Sequence, residues 1–179
     1  MPELNGWENF YVIVGSSAGA LIGLQFVFLT LIAERPRLRM VEASRAFSTP
    51  TIVHFAIVLF VSAMISAPWH AVEVPACIWG AVGVGGIIYL SFVLHMLRIQ
   101  DVYKPVVEDW IFHIACPMLA YMLLVAAAVT SFSAVVPALF MVGTAMTMLL
   151  FAGIHNSWDS VAYHVFVQRP KETIQNARD

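Results

Sequence analysis

Five long stretches of mostly apolar residues, at about 10–33, 50–69, 75–97, 106–132 and 136–158, alternate with short connectors rich in charge or proline. An α-helix rises 1.5 Å per residue, so each stretch is long enough, or nearly so, to cross a hydrocarbon core about 30 Å thick. The pattern predicts an all-α fold: a polytopic membrane bundle of five transmembrane helices, one domain over residues 1–179, with 159–179 as a tail. The opening MPELNGWENF carries Glu3 and Glu8 but no Lys or Arg. It lacks the basic start of a secretory signal peptide, so the first stretch is expected to stay as a span.

The basic residues give the orientation. Arg35, Arg37, Arg39 and Arg45 lie in the first connector, Arg98 and Lys104 in the third, and Arg169, Lys171 and Arg178 in the tail, which accounts for all 9 Lys and Arg. They therefore fall on one side, and the positive-inside rule places the N-terminus outside and the C-terminus in the cytoplasm. A bacterial inner membrane is the expected location.

Composition agrees with the pattern and removes other classes. The chain is 60% hydrophobic and 11% charged, with a mean hydropathy of +0.82, against about 25% charged in an ordinary soluble domain. A net charge of −2 provides no basic face for nucleic acid. The expected partners are the lipid bilayer and further copies of the chain. Cys77 and Cys116 are expected near opposite sides of the bilayer, too far apart to pair.

Several residues bear on how the helices pack. Gly15, Gly19 and Gly23 recur every fourth residue in the first span. Such a stripe lets another backbone approach closely, either within the chain or across a subunit interface. The GAVGVGG run of the third span reads as close packing too, because no strand precedes it as a nucleotide-binding loop requires. Gln25 is polar at membrane depth and is expected to face protein, as an interhelical hydrogen bond. Ser48 or Thr49 before Pro50 suggests a helix start, Trp69 and Trp79 suggest an aromatic belt, and Pro117 suggests a kink. The Trp7-x2-Phe10-Tyr11 start, the glycine stripe and the Thr49-Pro50-Thr51-x2-His54 element together resemble an uncharacterised bacterial family of polytopic membrane proteins. That resemblance spans the first two helices and implies membrane location without an activity.

The sharpest chemical signal is a set of histidines. The last span turns polar at 153–164, GIHNSWDSVAYH, where His155 and Asp159, four residues apart, share a helical face. His54 lies four residues past Pro50, His95 three before Arg98, and His113 four after Asp109. With the orientation above, each sits about 4 to 8 Å inside the cytoplasmic boundary. Four helices thus bring one imidazole each to one depth, with Asp109 and Asp159 beside them, Glu108 and Asp101 nearer water, and Cys116 extending the face of Asp109 and His113.

Imidazole and carboxylate from facing helices suit a divalent transition metal, with His54, His95, His113, His155, Asp109 and Asp159 as candidate ligands. The same set suits a proton relay, since histidine titrates near neutral pH. A haem held by two histidines is the weaker third use. The expected function is a cation transport or channel subunit, for a divalent metal or a proton. A membrane-embedded metal-dependent enzyme and a non-catalytic scaffold or haem-binding protein are the alternatives, and a non-enzymatic role ranks ahead. His70 and His164 are expected at the interface. The methionines Met141, Met146 and Met148 are spaced as ordinary packing, and no serine has a nucleophile elbow around it.

Overall fold

A computed structural model describes residue 4 and residues 6–33, 41–99 and 107–162, with the backbone alone at 32–33 and 41–48. The described residues are mainly helical, without strands: α1 Glu8–Ala33, α2 Val41–Ile65, α3 Glu73–Ile99, α4 Val107–Ser131 and α5 Val135–Ala162, with short turns at 66–72 and 132–134. Four of them, α1, α3, α4 and α5, are long and apolar enough to cross a membrane, and α2 carries a shorter apolar stretch, Thr49–Ile65. Arg35, Arg37, Arg39, Asp101, Lys104, His164, Arg169, Lys171 and Arg178 lie outside the described residues.

Helix α5 is the centre of the bundle. Half of its apolar window is buried, against 22% for α1 and α3. It packs mainly on α4 and α2, while α3 flanks α4 and α1 flanks α2. Its buried side, including Ala138, Val142, Ala145, Leu149 and Ala152, is fully enclosed. Small side chains there let the neighbouring axes come close, which matters where lipid offers no hydrophobic drive for association.

Glycines set three of the contacts. On α3, Gly80, Gly83 and Gly86 face α4: a Cβ on Gly80 would lie 2.8 Å from Ala128 Cβ, one on Gly83 would lie 2.9 Å from the Tyr121 carbonyl oxygen, and one on Gly86 would collide with the Tyr121 ring. On α5, a Cβ on Gly153 would collide with the Phe55 ring of α2. In the α1 stripe, Gly15 abuts Ser62 of α2, Gly19 barely reaches Leu59, and Gly23 has nothing within 4 Å. The stripe is therefore an intrachain contact at Gly15 that opens toward Gly23.

Other expectations change. Helix α2 does not begin at Pro50 but runs through it from Val41. Proline removes one N–H and crowds the carbonyl four residues back, a cost that helices in a membrane bundle tolerate when neighbouring groups satisfy the freed carbonyl. Trp79 is 1% exposed and belongs to the core, away from an aromatic belt, and Gln25 is buried as expected but its Nε2 finds no hydrogen-bond partner among the described residues. Cys77 and Cys116 are both free thiols.

Candidate functional site

Helix α4 is not a regular α-helix where the chemistry lies. Residues Trp110–Ala115 form a π-helical segment with His113 inside it, and the Cys116 N–H bonds the Ile111 carbonyl, five residues back. In that pattern the next donor would come from residue 117 to the Phe112 carbonyl. Residue 117 is proline and has no N–H. The orphaned Phe112 carbonyl accepts instead from Asn156 Nδ2 of α5 at 3.4 Å. The expected kink at Pro117 is thus a π-turn just before it, closed by a buried side chain from the next helix. Single π-turns of this kind are frequent at functional sites.

The imidazoles do not form a ring. His95 is exposed on α3 and stands apart from the others. The remaining three form a line that runs inward from the end of α4 and α5. At the outer end, His155 Nε2 is 3.1 Å from Asp159 Oδ2 and 3.6 Å from Glu108 Oε1, with side-chain exposures of 23%, 44% and 64% in that order. The 3.1 Å contact is not aligned as a hydrogen bond, so the two carboxylates face the ring without fixing its tautomer. Phe112 stacks on the His155 ring, centroids 3.7 Å apart, which fixes the plane of the imidazole.

His113 is the middle member. It is 5% exposed, bonds the Asp109 backbone, and lies within electrostatic reach of Asp109, Asp159 and His155. His54 of α2 is the inner member: it is fully buried and interacts electrostatically with His113. Its Nδ1 shares a 2.9 Å hydrogen bond with the buried Tyr121 hydroxyl, while its Nε2 has no partner among the described residues. Tyr121 is held in place by Gly86, whose missing side chain accommodates its ring.

The line therefore runs from Glu108 and Asp159 through His155, His113 and His54 to Tyr121. Among the described residues, no three His, Cys, Asp or Glu side chains are grouped so as to hold a metal ion. Cys116 turns toward α5, its Sγ 3.9 Å from the Met148 carbonyl oxygen. The π-turn explains this, because its longer turn separates Cys116 from the face that regular spacing assigns to Asp109 and His113.

Tyr121 and Asn156 carry the arrangement and were not singled out by sequence. A signal for Tyr121 exists, since it follows His113 by two i,i+4 steps and so continues its face. Asn156 was marked only by lying in the polar run of α5. Compared with family models, with curated proteins and with solved structures, the chain matches none.

Proposed function

We propose that the protein is a proton-conducting subunit of a membrane transport or channel system, with the line of histidines as its inner relay. The observation that carries this reading is the order of exposure, from 64% at Glu108 through 23% at His155 to 5% at His113 and none at His54. A carboxylate mouth gathers cations, and each imidazole can accept a proton on one nitrogen and release one from the other. Ionisable groups at this depth are costly, so a row of them is more readily explained by transfer than by packing. A metal would want three or four donors around one point, whereas a relay wants donors in sequence.

In this reading Glu108 and Asp159 collect protons at the cytoplasmic face. His155 passes them to His113 and His54, and the hydrogen bond between Nδ1 and the Tyr121 hydroxyl orients the His54 ring. The N-terminus lies outside, the C-terminal tail lies in the cytoplasm of a bacterial cell, and the open Gly23 end of the α1 stripe is available to a second copy. The test is proton uptake by proteoliposomes with a pH-sensitive dye inside and chelator on both sides. Uptake above that of protein-free vesicles is expected. Uptake that appears only when a transition metal is added would replace the proton by a metal as the conducted or required ion.

A further inference from the structure

At the end of the bundle opposite the histidine line, α1 and the turn after α2 enclose a cleft of about 290 Å³. It lies near the lower end of the size range of small-molecule sites, roughly 300 to 1,000 Å³. Glu8, Tyr11, Ser66, Trp69 and His70 supply its polar and aromatic lining, and Leu4 and Ile65 part of its apolar wall. Among the described residues, no Lys or Arg lines it.

One residue lining the cleft carries a hydroxyl that the fold leaves unused. Tyr11 is 1% exposed and its hydroxyl has no hydrogen-bond partner among the described residues. Buried hydroxyls without partners are costly, and a bound molecule or water relieves that cost. Ser66 donates to the Ser62 carbonyl oxygen at 2.9 Å, so its own oxygen remains able to accept. The Trp69 indole donates to the Met64 carbonyl oxygen, which fixes its ring against the turn.

The charge of the ligand follows from these groups. A helix N-terminus by itself favours an anion, but the first turn of α1 holds the Glu8 carboxylate, which reverses the preference. One carboxylate, the Ser66 hydroxyl and the Trp69 ring are the combination that binds an ammonium group with a small apolar body. We infer that this cleft is a binding site for a small organic ammonium ion. It lies apart from the relay, and neither proposal needs the other.

The test uses the full chain in detergent or nanodiscs, titrated with benzylammonium and with benzyl alcohol, a neutral molecule of nearly the same shape. Benzylammonium is expected to raise the melting temperature and change the tryptophan emission, with the alcohol at least about tenfold weaker. Glu8→Gln should weaken benzylammonium to about the level of the alcohol without altering the melting temperature of the free protein, since Glu8 is exposed. Trp69→Phe should abolish the emission change. Equal binding of alcohol and ammonium, or ammonium binding unaffected by Glu8→Gln, would overturn the assignment.

Discussion

His54 Nδ1 and Tyr121 Oη lie 2.9 Å apart with both residues fully buried, which joins α2 to α4 by one hydrogen bond inside an apolar bundle. Removing one partner strands the other, while removing both does not. Tyr121→Phe is expected to cost about 1 to 3 kcal/mol, and His54→Phe a similar amount. The double variant should be less destabilised than the sum of the two. Unfolding in denaturant, followed by circular dichroism, checks this; strictly additive losses would mean the bond contributes nothing.

The helices were readable from sequence, but direction around them was not. The apolar stretches gave α1, α3, α4 and α5 and the shorter apolar part of α2. Which way each imidazole turns depends on which side of its helix meets protein and which meets lipid. Both surroundings are apolar, so the periodicity that separates core from water in a soluble helix is weak here. His95, exposed on α3, looks the same in sequence as His54, fully buried on α2. The π-turn was equally hidden: Pro117 announced an irregularity, but only the structure places the Phe112 carbonyl against Asn156.

That pairing has its own consequence. Asn156→Leu leaves the Phe112 carbonyl unpartnered and should cost about 1 to 3 kcal/mol. If proline is the reason the carbonyl needs a partner, Pro117→Ala restores a backbone donor, and Asn156→Leu should then cost markedly less. Unfolding free energies of the four proteins give the comparison. An Asn156→Leu penalty unchanged by Pro117→Ala would place the importance of Asn156 elsewhere.

Gly86 and its neighbour Gly85 offer a matched pair. A Cβ on Gly86 meets the Tyr121 ring, whereas one on Gly85 meets nothing within 4 Å. Gly86→Ala should destabilise by about 1 to 3 kcal/mol through overpacking, and in shifting Tyr121 it should also weaken the bond to His54. Gly85→Ala should be neutral or slightly stabilising. Equal effects of the two, measured by thermal unfolding, would contradict the packing described for α3 on α4.

The α1 stripe separates in the same way. Gly15→Leu should lower the melting temperature, because Ser62 Cβ stands 2.8 Å from where its Cβ would go. Gly23→Leu has free space within the chain and should leave the melting temperature unchanged. If the open end of the stripe meets a second copy, Gly23→Leu shifts the detergent-solubilised protein to a smaller species on sizing. An unchanged size would confine the stripe to the contact between α1 and α2.

Proton uptake by proteoliposomes carrying wild-type protein, His113→Ala or His95→Ala tests the relay most directly, with chelator present and the three proteins matched for incorporation. His113 is the buried link between His155 and His54, while His95 is exposed and stands outside the line. The expected result is uptake by the wild type, a loss of at least about tenfold in His113→Ala, and no change in His95→Ala. Uptake by His113→Ala equal to that of the wild type, or wild-type uptake no greater than that of empty vesicles, would contradict the account.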